Sequence, residues 1–316
     1  MFHRSLLMLL PAALGLVAAG FWLYSRGPDG ATIKAAYGTP LPAVSVPLKV
    51  YHLGHSLVGR DMPAMLAQLA GNGHTYDSQL GWGTSLKEHW EPDLEINGFA
   101  QENNHARFRP AREAVGSGQY DAVILTEMVE LRDAIRYHDS AAYLSRWAGL
   151  ARGGGPDTQV YLYETWHWLD DDQGWLARLD GDLRRYWEDG VLLPDLLQSG
   201  SDHRPVRVIP AGQVMARFVR AVEQAGGVGN IADRYALFAL EPSGKQDMIH
   251  VSDLGAYLVA LTHYAVLYRR SPIGLPHRLM RADGSPADAP GPEAARLMQE
   301  IVWQVVREYP KTGVAS

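Results

Sequence analysis

Ala122-Val123-Ile124-Leu125 constrains this chain more than any other stretch. Its four apolar residues follow one another with no polar residue between them. A strand with one wet face would alternate, so this run fits a strand covered by helices on both faces. Helical spacing is read on either side of it, at 108–116 and at 141–151, the second closed by Gly153-Gly154-Gly155. Strand-like runs recur at 48–54, 74–80, 160–163 and 206–209. Helical stretches recur at 62–70, 175–187, from 211 to about 225, 254–268 and 292–308. This alternation predicts an α/β fold, a three-layer sandwich around a parallel five-stranded sheet. Sites in such sheets lie beyond the carboxyl ends of the strands.

The first strand runs into Gly54-His55-Ser56-Leu57, and a helix follows from Asp61. A serine at a strand-to-helix turn presents its hydroxyl above the sheet edge, where its own N–H and the helix N-terminus face a developing negative charge. Glycine at 54 is read as allowing a tight turn before the serine. A reactive serine needs a base, and the base needs a group that fixes its tautomer. Asp247-Met248-Ile249-His250 offers both, and a turn there brings the carboxylate and the imidazole together. Histidine is the side chain suited to proton transfer near neutral pH. Ser56 is therefore the candidate nucleophile, His250 the candidate base and Asp247 the candidate orienting acid.

Composition narrows the classes. Of 316 residues, 47% are hydrophobic and 20% charged, enough for one large globular domain. A net charge of −6 gives no electrostatic case for nucleic acid. The absence of cysteine excludes disulfides, thiolate catalysis and zinc–thiolate sites. No metal-ligand motif or phosphate-binding loop is found, and Asp170-Asp171-Asp172 reads as a solvated loop, so no cofactor is expected.

The first 26 residues read as a segment outside the fold. Arg4 precedes an apolar run at 6–24, closed by Ser25-Arg26. Ala18-Ala19-Gly20 would suit signal cleavage. The length of the run and the aromatic pair Trp22 and Tyr24 would suit a membrane anchor. Either reading places the domain in the periplasm or elsewhere outside the cytoplasm. Residues 27–47, rich in Gly, Pro, Ala and Thr, read as a linker, and 48–316 as the domain.

Gly-x-Ser-Leu early, a glycine loop next and Asp-x-x-His late together resemble the SGNH (GDSL-like) hydrolase superfamily. Within it the chain is most similar to bacterial members carrying a serine-leucine-x-x-histidine-tryptophan segment, here Ser85-Leu86-Lys87-Glu88-His89-Trp90. The resemblance covers roughly 49–270. It implies a flavodoxin-like sandwich, a Ser56–His250–Asp247 triad and no cofactor. It also implies an oxyanion hole built from the N–H groups of Ser56 and Gly83, with Gly81 as the alternative second donor. The superfamily usually adds an asparagine after the third strand, and here the sequence reads Leu125-Thr126-Glu127-Met128-Val129-Glu130. The Thr126 hydroxyl is one substitute donor, and Glu127 another if protonated by burial. Loss of one such donor typically costs about 3 to 4 kcal/mol of transition-state stabilisation.

Glu127, His89, Trp90 and Trp166 are further candidates for substrate contact. Trp82, Trp90, Trp166, Trp168 and Trp175 concentrate around the strand-end loops, and flat indole faces suit sugar rings. His55 is expected to point away from Ser56 and to serve the fold, because side chains alternate along an extended segment. The expected function is hydrolysis of O-acyl esters, with O-acetylated carbohydrate as the substrate class. The alternatives are acyl transfer to a sugar by the same triad and glycan binding without catalysis.

Overall fold

The computed structural model describes residues 30–198 and 204–316. Five strands, β1 (Lys49–His55), β2 (Thr75–Gly81), β3 (Ala122–Leu125), β4 (Gln159–Glu164) and β5 (Arg207–Pro210), form one parallel sheet in the order β2-β1-β3-β4-β5. The fold is the expected α/β three-layer sandwich with a parallel five-stranded sheet.

Strict alternation along the strands builds its two cores. Val50, Ile124, Tyr161, Tyr163 and Ile209 face one side, toward the helices Asp61–Ala70, Ala211–Ala225, Asp253–Tyr268 and Pro292–Glu308. Tyr51, Leu53, Val123, Leu125, Leu162 and Val208 face the other, toward Ala111–Gly116 and Ser140–Gly154. The period of two explains why β3 reads as unbroken apolar sequence: each face of it needs apolar residues.

Three boundaries differ from expectation for physical reasons. The helix predicted from residue 108 starts at Ala111, because Pro110 disfavours helical geometry at Arg109. The helix beginning at Trp175 runs past 187, through a π-helical stretch Leu183–Leu192, to Gln198. The stretch expected as a linker is helical over Gly30–Tyr37, and buried Tyr37 donates its hydroxyl to the Val206 carbonyl at 2.9 Å. Leu41 and Val44 then donate backbone bonds to the carbonyls of Gly313 and Tyr268. Residues 30–47 are thus part of the domain's surface.

The expected leader at 6–24 lies outside the described residues. Among the described residues no helix is long and apolar enough to cross a membrane.

A two-stranded antiparallel hairpin, β6 (Phe238–Leu240) and β7 (Gln246–Val251), stands apart from the main sheet. It carries Asp247 and His250, so the segment expected to form a turn is a strand. Its turn is closed by bonds from Glu241 N to Lys245 O and from Gly244 N to Glu241 O, both 2.8 Å. Gly244 takes a φ of +82°, the conformation that makes glycine useful there.

Candidate active site

Parallel register brings the loops after β1 and β2 side by side. His55 pairs with Gly81, so Ser56 and Trp82-Gly83 leave the sheet together. The loops after β3 and β4 leave beside them, since Leu53 pairs with Leu125 and Leu125 with Leu162. A cavity of about 590 Å³ opens there, lined by His55, Ser56, Leu57, Trp82, Gly83, Glu102, Val129, Trp168, Ile249 and His250. That volume suits a small-molecule site.

Ser56 and the hairpin meet at this cavity. His250 Nε2 lies 3.0 Å from Ser56 Oγ, and His250 Nδ1 lies 2.8 Å from Asp247 Oδ2. The other carboxylate oxygen, Oδ1, accepts the N–H groups of Ile249 and His250, each at 2.8 Å. Asp247 is therefore locked into its own turn. Burial alone would raise its carboxyl, but the N–H groups of His250 and Ile249 and the imidazole outweigh that and hold it below its ordinary value. An ionised Asp247 can only accept, which assigns the proton of His250 to Nδ1 and leaves Nε2 free to accept from Ser56.

Ser56 and Gly83, the two residues expected to supply oxyanion donors, both line the cavity. Among the described residues neither the Ser56 nor the Gly83 N–H is used in a turn or loop hydrogen bond. Gly83 lines the cavity at a φ of +60°, where any other residue would be strained.

Gly54 serves a different purpose from the tight turn expected of it. It lies inside β1, and a Cβ there would sit 2.6 Å from Thr126 Cβ and 2.9 Å from its Oγ1. Glycine is needed because Thr126 fills that space. Thr126 is itself fully buried and does not line the cavity, so it is not placed as a third donor.

The other predicted contact residues lie behind the cavity, and the expectation is corrected for each. Glu127 is fully buried. Its Oε1 accepts the N–H groups of Leu86 and Met128, and its carbonyl oxygen lies 2.9 Å from His55 Nε2. Burial pushes its carboxyl up to about 7. His89 is buried with Nε2 2.8 Å from the Gly54 carbonyl and Nδ1 3.0 Å from Gln79 Nε2, and Gln79 in turn accepts the Ala111 N–H. That relay braces β1 from beneath. Trp90 packs edge-on against Trp147 at 4.8 Å, with Arg112 over its ring. Trp166 is 1% exposed and donates its indole N–H to the Ile249 carbonyl at 2.8 Å, supporting the hairpin from below.

His55 serves the fold, though it also forms part of the cavity wall beside Ser56. It is buried, its Nδ1 accepts the Leu57 N–H, and burial lowers it to about 4, so it is a neutral ring that shapes the loop. The indoles that do reach the cavity are Trp82, 50% exposed, and Trp168, 41% exposed. Sequence reading missed Leu57, Glu102, Val129 and Ile249 as cavity walls. Leu57, Val129 and Ile249 lie inside segments singled out for other residues, and Glu102 lies in none.

Glu130, His167 and Asp182 bring ligand-type atoms within 4.8 Å of one another. The Arg178 guanidinium stands among them, bonded to both Glu130 oxygens at 2.8 and 2.6 Å, to Asp182 at 2.7 Å and to Asp171 at 2.6 Å. The positive charge of this cluster is an arginine. Through Glu130 and His167 it anchors the neighbouring cavity residues Val129 and Trp168.

Buried titratable groups give a pH prediction. Burial lowers His52 well below its ordinary value, and His55, His74, His89 and His263 each to about 4. It raises Glu127 to about 7 and Glu164 to about 8. A histidine with a lowered folded pKa loses stability as pH falls from its unfolded value near ~6.5 toward its folded one. A glutamate with a raised folded pKa loses stability as pH rises from its unfolded value near ~4.3 toward its folded one. Below pH ~6.5 the five histidines outnumber the two glutamates; above it the glutamates dominate. Melting temperature should therefore peak near pH ~6.5 and fall on both sides, and Glu127→Gln should lessen the fall on the alkaline side. Scanning calorimetry from pH 4 to 9 checks this; a monotonic rise to pH 9 contradicts it.

No family model matches the chain, and no curated protein matches it. Two solved structures are similar to it at a distance. One is a candidate GDSL-like lipase from Parabacteroides merdae, 15% identical, covering 70% of this chain and 96% of its own, with a TM-score of 0.38. The other is a carbohydrate acetylesterase from Sinorhizobium meliloti, 13% identical, covering 83% of this chain and all of its own, with a TM-score of 0.32. The fold described above stands on the chain's own strand order and register.

Proposed function

We propose that this protein is a serine ester hydrolase of the SGNH type, with Ser56, His250 and Asp247 as its triad. The observation that carries the reading is the continuous relay from Asp247 Oδ2 through the His250 ring to Ser56 Oγ, at 2.8 and 3.0 Å, beside a cavity. Ser56 Oγ attacks the ester carbonyl carbon while His250 Nε2 takes the hydroxyl proton. The carbonyl oxygen becomes an oxyanion facing the N–H groups of Ser56 and Gly83. Collapse breaks the bond to the alcohol, which leaves with the proton held by His250. Water then attacks the acyl-serine, His250 takes its proton, and the acid departs as Ser56 is restored. Asp247 keeps the ring in the accepting tautomer and offsets the imidazolium charge in both halves.

The substrate class we propose is an O-acyl, chiefly O-acetyl, carbohydrate. Half-exposed Trp82 and Trp168 on the cavity wall support it, since indole faces suit sugar rings. The location we propose, outside the cytoplasm, rests on the apolar run at 6–24. The purified protein should hydrolyse p-nitrophenyl acetate and release acetate from an acetylated glycan. Release from p-nitrophenyl acetate with the acetyl group appearing on an added sugar, not in water, would reassign the chemistry to acyl transfer. Glycan binding with no ester cleavage at all would reassign the protein to binding alone.

A further inference from the structure

A carboxylate in the wall of a cavity that stabilises an oxyanion opposes the reaction, unless the substrate brings a charge that offsets it. Glu102 is such a carboxylate. It is the one acidic side chain among the ten that line the cavity, and no lysine or arginine lines it. Its Oε1 accepts the Trp82 indole N–H at 2.8 Å. That donor is neutral, so it orients the carboxylate without cancelling its charge. Among the described residues Glu102 makes no salt bridge; the Arg60 guanidinium donates instead to the carbonyl of neighbouring Gln101, with His105 beside both groups.

The surroundings favour a cation as well. Trp82 and Trp168 present half-exposed indoles to the same space, and an indole face attracts a positive charge. Trp82 is held in place by its bond to Glu102 and by Gly98, where a Cβ would lie 2.2 Å from the indole ring. Gly98 has a φ of +68°, so this seat is reserved for glycine on two counts. The chain's net charge of −6 adds a long-range pull in the same direction.

We propose that the alcohol part of the substrate is positively charged, namely an O-acetylated amino sugar with a free ammonium group, and that Glu102 is the residue that selects it. This rests on the ester-hydrolase reading. The ammonium offsets the Glu102 charge, so the oxyanion forms in a cavity with no uncompensated carboxylate. The hydroxyls and ring of the sugar remain available to the indoles.

The test compares kcat/KM of the full chain and of Glu102→Gln on 6-O-acetylglucosamine and 6-O-acetylglucose, which differ in carrying an ammonium or a hydroxyl at one carbon. Acetylcholine is the third ester. The wild type should prefer the amino sugar by about tenfold at low salt, the factor that corresponds to ~1.4 kcal/mol. That preference should shrink in about 0.5 M sodium chloride, where surface charge is screened. In Glu102→Gln it should vanish. Equal rates on the two sugars in the wild type, or a preference that survives in Glu102→Gln, overturns the assignment and leaves the esterase reading standing. Acetylcholine turned over faster than the amino sugar makes the cation a quaternary ammonium alcohol and overturns the amino-sugar class. A wild type that cleaves none of the three, nor p-nitrophenyl acetate, overturns both readings.

Discussion

Ser56→Ala should reduce kcat/KM on p-nitrophenyl acetate by at least about 10⁴-fold, because the relay then ends on a methyl group that can neither attack nor be deprotonated. His250→Ala should cost about as much. The double variant should be no worse than either, since the pair acts as one unit and its losses do not add. Asp247→Asn should fall by about 10⁴-fold for a different reason. An amide at that position can donate to the ring, and the tautomer that leaves Nε2 free is no longer enforced. The Asp247 carboxylate also accepts two backbone N–H groups, so its replacement loosens the hairpin turn. Steady-state kinetics on variants with unchanged circular dichroism measures all four. Activity in Ser56→Ala within tenfold of the wild type would remove the serine mechanism.

Trp166→Ala is expected to lower stability by about 3 to 5 kcal/mol, the usual cost of emptying a buried aromatic site. The indole is 1% exposed, packs edge-on against Tyr163 at 6.3 Å and bonds the Ile249 carbonyl next to His250. Its loss should show as a lower urea midpoint with an unchanged slope. Trp168→Ala, at a 41% exposed position, should shift stability by no more than about 0.5 kcal/mol. It should instead raise KM for a sugar ester. A Trp166→Ala variant as stable as the wild type would contradict the placement of that ring.

This pair of tryptophans shows where sequence reading ends. Residues two apart in an extended chain share a face, so alternation treats 166 and 168 alike. They separate because the chain turns after Trp168, with Asp171 N bonded to the Trp168 carbonyl and Leu169 N to the Met248 carbonyl. The second of those bonds depends on the hairpin, which is distant in sequence. By contrast the sheet was legible, because Val123 and Ile124 must each satisfy a separate core and apolar sequence records that directly. The triad was legible because reactive groups are constrained by type and order, not by packing. Strand β7 was not, since its polar and apolar residues follow no alternation and none of them is fully buried. The Ser85–Trp90 segment announced itself by resemblance but not by role. Ser85 and Glu88 close a capping box, Leu86 donates to buried Glu127, and His89 holds the Gly54 carbonyl, all behind the cavity. Glu102 left no trace at all, because a single acidic residue on a short helix looks the same whether it faces solvent or a site.

The most direct measurement is covalent labelling of the full chain with a fluorophosphonate, followed by peptide mass spectrometry. Such a probe reacts with a serine hydroxyl only when a base removes its proton and donors receive the oxyanion. The structure predicts one adduct, on the peptide containing Ser56, formed at neutral pH and lost in His250→Ala. No adduct on Ser56 in the folded wild type, or an adduct of undiminished rate in His250→Ala, would contradict the account.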